Sequence, residues 1–173
     1  MEYASGFALA LSGDSAGSQR LAEDLAKRFP EDTPVQFEYL PTLHALSAIS
    51  RKAPLDAVKG LETALPYDLA MPGTLFFAKF GGLYPAYVRG QGYLQAGRGQ
   101  EAAAEFQKVL DHRGIVLADP VGALAHLQLG RAYAVSGDRT RAKSAYQDFL
   151  RLWKNADRDI PILIRARTEY EKL

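Results

Sequence analysis

The chain has no cysteine, three histidines and an almost even balance of charge, with 21 Lys and Arg against 20 Asp and Glu in 173 residues. Without cysteine there is no disulfide framework, no thiolate zinc site and no thiol nucleophile. A formal net charge of +1 leaves no electrostatic footprint of the kind a phosphate backbone or an anionic bilayer requires, so nucleic acid is not an expected partner. Long apolar runs are also missing. The stretch Thr74 to Phe80 is interrupted by Lys79 and falls far short of a membrane span, so direct membrane insertion is not expected. Residues 1 to 11 lack a basic leader and run into Gly13-Asp14, which argues against a secretory signal.

Signatures of catalysis are equally scarce. Gly90, Gly92, Gly97 and Gly99 crowd together but lack the Gly-Lys-Ser/Thr ending of a phosphate loop, and no strand precedes them. The serines form no G-x-S-x-G elbow, and Glu101, Glu105 and Asp148 fall on polar helix faces. His44, His112 and His126 have no zinc-binding spacing; His126 and His44 read as packing histidines, while His112, between Asp111 and Arg113, reads as a solvated one. Arg139, Arg141 and Lys143 alternate with Asp138 and Asp148, the pattern of a solvated face. The expectation is a protein that is not an enzyme and uses no cofactor or metal.

What the chain does have is repetition. RGQGYLQAGRGQEAAAEFQKVL (89–110) returns as LGRAYAVSGDRTRAKSAYQDFL (129–150): Gly90 pairs with Gly130, Tyr93 with Tyr133, Gly97 with Gly137, Ala102 with Ala142, Phe106 with Tyr146 and Leu110 with Leu150, always 40 residues apart. Ser12-Gly13-Asp14 repeats Ser136-Gly137-Asp138, and Ala45, Ala48, Ala57, Leu61 and Ala64 fill equivalent places in a second unit. Each unit reads as helix, tight turn, helix. Asp119-Pro120 supplies an N-cap and a first-turn proline, Gly137 ends the helix that follows, and Asp138 starts the next, on which Ala142, Tyr146, Phe149 and Leu150 form one apolar stripe. Gly130 and Ala142 are small because the paired helices cross there, with Tyr133 and Tyr146 filling the space on either side.

These residues resemble the tetratricopeptide repeat, in which two antiparallel helices occupy about 34 residues, with small side chains at the eighth and twentieth places and large ones at the eleventh and twenty-fourth. The resemblance implies an all-α fold: a right-handed superhelical array of antiparallel helix pairs with a C-terminal capping helix. Approximate units are 1–37 (incomplete, lacking most of its leading helix), 38–72, 83–116 and 123–156, followed by a cap over 160–172, all in one domain of 1–173. In the cap, Leu163, Ala166, Tyr170 and Leu173 share a face, while Arg165, Arg167, Glu169 and Lys172 point away. Two stretches break the register: DHRGIVLADP, about six residues beyond the usual spacing and read as a loop or an extended helix end, and Pro66 to Gly82, read as an extended connection or a lengthened third-unit helix.

The stretches FPEDTPVQFEYLPTL, LYPAYVRGQGYL and LWKNADRDIPIL look, further, like the C-terminal repeat region of bacterial eukaryotic-like serine/threonine protein kinases and related regulators. The kinase Gly-rich loop, HRD and DFG motifs are absent, so this resemblance implies the non-catalytic part of such a protein. It implies a cytoplasmic location, or alternatively the extracytoplasmic part of a membrane-anchored kinase. The implied function is a protein-protein interaction module that scaffolds or senses by holding a peptide or protein in its concave groove. Self-association into a homodimer is the alternative, and small-ligand sensing between Phe76, Phe77 and Tyr84 a third reading.

In the repeat family the groove is lined by the second, fifth, ninth, twelfth and thirteenth residues of each unit. Carried over, these places give Tyr39, Thr42, Leu46 and Ile49, then Tyr84, Tyr87, Gln91, Leu94 and Gln95, then Leu124, Leu127, Arg131 and Val135. Tyr39, Thr42, Tyr84, Tyr87, Gln91, Gln95 and Arg131 are the expected partner contacts, with rings supplying area and amides and Arg supplying hydrogen bonds. The competing reading packs Tyr84 and Tyr87 against TLFFAKF of the same chain. The Lys and Asn pattern that clamps a chaperone's C-terminal carboxylate is missing, so that ligand is not expected.

Overall fold

A computed structural model describes residues 2–70, 82–117 and 119–173. Its helices are α1 (Glu2–Ser12), α2 (Ser15–Arg28), α3 (Leu40–Ser50), α4 (Pro54–Gly60), α5 (Leu83–Gln95), α6 (Gly99–Asp111), the single turn α7 (Arg113–Val116), α8 (Pro120–Val135), α9 (Arg139–Leu152) and α10 (Pro161–Glu171). A π-helical turn, Val35–Tyr39, leads into α3, and a 3-10 turn, Glu62–Tyr67, follows α4. No strand occurs among the described residues, and the molecule is an all-α solenoid. The pairs α1/α2, α3/α4, α5/α6 and α8/α9 stack in chain order, and the leading helices α1, α3, α5 and α8 each touch the next.

One turn geometry recurs between the helices of every pair. The residues Gly13, Lys52, Gly97 and Gly137 all have positive φ, between 60° and 94°. Their N–H groups donate to Ala10, Ile49, Leu94 and Ala134, and the next N–H reaches back to Leu9, Ala48, Tyr93 and Tyr133. This double hydrogen bond is the Schellman motif, which satisfies carbonyls that the end of a helix leaves without partners. Asp14 and Asp138 then cap α2 and α9 by accepting from the Gly17 and Arg141 N–H groups at 2.8 and 2.9 Å.

The expected close crossings are present. A Cβ on Gly130 would lie 2.6 Å from the Tyr146 ring, and one on Gly90 would lie 2.7 Å from the Phe106 ring. Ala142 and Ala102, across from them, are fully buried. A second contact recurs in altered form. In the third unit Arg98 pairs with Glu101 at 2.7 Å and lies over the Tyr93 ring at 4.8 Å; in the fourth, Arg141 pairs with Asp138 at 2.6 Å and lies over Tyr133 at 4.5 Å. Cation and anion have exchanged places, yet the cation still covers the equivalent tyrosine.

Three features differ from the sequence reading. The leading helix of the first unit is substantial, eleven residues in α1, with Gly6 at the crossing place, where an added Cβ would press on Leu43 at 3.2 Å. The inserted DHRGIVLADP carries a helical turn of its own, α7, before Asp119 caps α8 by accepting from the Val121 N–H at 2.9 Å. Glu169 does not point away: its carboxylate accepts from Arg131 Nε and Nη2 at 2.8 and 2.9 Å and from the Tyr146 hydroxyl at 2.8 Å, so α10 is tied inward on its charged edge as well as its apolar face. Leu163 and Ala166 of α10 complete a small second core with Leu127, Tyr146 and Phe149. As for Pro66 to Gly82, the Leu69 N–H donates to Gly82, the Gly82 N–H donates to Ala70, and α5 begins directly afterwards. Thr74 to Phe80, with Phe76 and Phe77, lies outside the described residues.

Candidate binding groove

The leading helices lie side by side, so residues at the same place in successive units line one concave surface. On it opens a groove of about 440 Å3, lined by Ala10 and Leu11 of α1, Leu46, Ile49 and Ser50 of α3, Gln91, Leu94 and Gln95 of α5 and Gln128 of α8. None of these side chains is charged. Leu11 is more than half exposed, and Gln95 is also exposed, its amide donating to the Ile49 carbonyl at 3.2 Å and so bridging two units.

Of the seven expected contacts, Gln91 and Gln95 line this groove. The other five do not line it. Thr42 is fully buried, and its hydroxyl donates to the Glu38 carbonyl at 2.6 Å, the usual back-bond of a helical threonine. Tyr84 and Tyr87 are buried as well, so the expectation that they touch a partner is corrected. Phe7 of α1 packs edge-on against the Tyr84 ring at 4.8 Å, and the Tyr84 hydroxyl donates to the Asp119 carboxylate at 3.1 Å. Tyr87 packs on Phe106 at 5.7 Å while its hydroxyl accepts from the Gln128 amide at 3.3 Å. Tyr39, half-buried, is stacked on Tyr3 at 4.1 Å. Arg131 is spent on Glu169. Burial drives the Tyr84 and Tyr146 hydroxyls to pKa values well above the ordinary phenol range, with Asp119 and Glu169 pushing the same way, so both stay protonated donors.

Sequence reasoning missed Ala10, Leu11, Ser50 and Gln128 as groove residues. A signal for three of them existed. With Gly6 as the eighth residue of the first unit, Ala10 and Leu11 fall at its twelfth and thirteenth places, and Ser50 is the thirteenth of the second.

A buried polar cluster sits elsewhere in the array. Arg89 of α5, buried, pairs with Asp68 and, at 2.8 Å, with Glu105; Lys108 reaches the same two carboxylates at 2.9 and 3.2 Å. Nearby Glu38 is buried too, and burial, with repulsion from Asp68 behind it, raises its pKa to about 7. The histidines are scattered: His126 is half-buried with Nδ1 at 4.0 Å from Asp148, His112 is exposed, and His44 is exposed rather than packed. Burial, the leading influence, lowers the His126 pKa. Among the described residues no group of three or more His, Cys, Asp or Glu is placed to hold a metal ion, and no helix is long and apolar enough to cross a membrane.

No family model and no curated protein matches this chain. Among solved structures the chain is similar to that described as the crystal structure of MamA, with a TM-score of 0.57 and 19% sequence identity over 95% of this chain and 80% of that one. At that identity the likeness is one of fold, a tetratricopeptide-like helical array.

Proposed function

We propose that this protein is a non-catalytic interaction module that holds a peptide or protein segment in its concave groove, as the sensory or scaffolding part of a bacterial signalling kinase or regulator acting in the cytoplasm. The observation that carries the reading is the groove itself: an open, uncharged surface spanning four helices, with Leu11, Ile49 and Leu94 as apolar floor and Gln91, Gln95 and Gln128 as amides. Amides both donate and accept, which suits the peptide backbone, while leucine and isoleucine gain from burying apolar side chains. The lining has no cation to clamp a carboxylate, so recognition rests on apolar area and backbone bonds.

The test is a peptide array probed with the wild-type protein and with Leu11→Asp, a substitution at an exposed position. A set of the peptides captured by the wild type should bind the variant at least about tenfold more weakly, equivalent to about 1.4 kcal/mol. Undiminished capture by the variant would move the partner off this surface.

A further inference from the structure

The two most exposed large apolar side chains among the described residues are Leu117, 59% exposed, and Leu152, 57% exposed. They line one cleft. It lies where the inserted turn α7 meets the start of α8 and the end of α9, has a volume of about 570 Å3, and also takes in Arg113, His126, Asp148 and half-buried Trp153. That volume is in the range of built ligand pockets, and paired exposed leucines beside a tryptophan are what an unfilled contact surface presents.

The backbone holds Leu117 out at a cost. Its φ of 47° and ψ of −116° lie in the positive-φ region where glycine is the ordinary occupant. The turn is closed by the Asp119 N–H donating to the Val116 carbonyl at 2.9 Å. A leucine kept in a glycine conformation and left exposed gains nothing from its own fold. Strain of this sort gathers at functional positions.

Charge narrows the occupant. Asp148 is taken by Arg151 at 2.7 Å, and Asp119 by the Tyr84 hydroxyl and its own helix cap. Arg113 is exposed and, among the described residues, forms no ion pair. The cleft therefore offers an apolar wall with one unspent cation at its mouth.

We infer that this cleft is a second docking site, separate from the concave groove, for a polypeptide segment that sets a bulky apolar side chain between Leu117, Leu152 and Trp153 and a nearby carboxylate on Arg113. Guanidinium and carboxylate suit each other through paired hydrogen bonds, and a single charge contact beside apolar burial fixes register as well as affinity.

The experiment is selection of a random dodecapeptide phage library on the protein, followed by titration of the enriched peptides as synthetic, end-blocked probes. Trp153 is the single tryptophan of the chain, so with tryptophan-free probes the emission comes from this cleft. Enriched peptides should join an aromatic residue or leucine to Asp or Glu within about one helical turn and should shift Trp153 emission on binding. Leu152→Ser should weaken them at least tenfold, Arg113→Glu should switch preference to the Lys-for-Asp versions, and Leu117→Gly should abolish the shift with the melting temperature unchanged or higher. Leu11→Ser, in the concave groove, should leave their binding unchanged. The assignment is overturned if no peptide shifts Trp153, if acidic and basic versions bind alike, or if Leu11→Ser rather than Leu152→Ser removes binding; the last result would leave the concave groove standing as the sole site.

Discussion

Lys52 occupies the turn position that Gly13, Gly97 and Gly137 occupy in the other three units, with φ at 60° and the same pair of hydrogen bonds. An L-residue there is strained by about 1–2 kcal/mol, of which glycine returns part through its greater freedom when unfolded. Lys52→Gly is accordingly expected to raise stability by about 0.5–1 kcal/mol in chemical denaturation. Glu38 carries the opposite kind of liability. Its folded pKa of about 7 lies above the ordinary carboxylate value, so its contribution is fully present below about pH 4.5 and lost as pH rises through 7. The unfolding free energy should fall across that window, by at most about 3 kcal/mol in total, and Glu38→Gln should flatten the slope. The small residues at the crossings were legible because they recur unchanged at Gly90 and Gly130. The ion pair over Tyr93 and Tyr133 was not, because Arg98 became Asp138 and Glu101 became Arg141: comparing residues one by one sees two differences where the physics keeps one contact.

At the scale of elements, both ends of the array depart from expectation. Aromatic places announce a repeat, and in α1 and α2 Leu9 and Ala22 stand where Tyr133 and Tyr146 stand later, so the first pair was legible only through Gly6 and the Gly13 turn. Its presence bears on the site, since Phe7 packs edge-on against the buried Tyr84 ring. In α10 the apolar stripe and Pro161 were enough to place the helix. A carboxylate bordering the stripe carries no sign of which way it turns, and Glu169 turns toward Arg131 and Tyr146. Three hydrogen bonds to a part-exposed carboxylate contribute about 1–2 kcal/mol once solvent screening is allowed for. Glu169→Ala should therefore speed amide exchange in α10 by roughly tenfold while leaving α3 and α5 unchanged, as measured by hydrogen-deuterium exchange.

Taken as a whole, the molecule repeats one crossing and one turn along the array, and the concave groove is the surface this repetition generates. How closely the two helices of the third and fourth pairs approach is set by glycines rather than by any residue that touches a partner. The measurement that bears on this most directly is equilibrium unfolding of Gly90→Val and Gly130→Val beside Gly60→Ala, a control with open space around the added atom. Overpacking against the buried Phe106 and Tyr146 rings should remove about 2 kcal/mol or more from each valine variant, exceeding the gain of less than about 1 kcal/mol from taking glycine out of a helix, while Gly60→Ala should be neutral or stabilising. Valine tolerated at either crossing with no loss of stability would contradict the account.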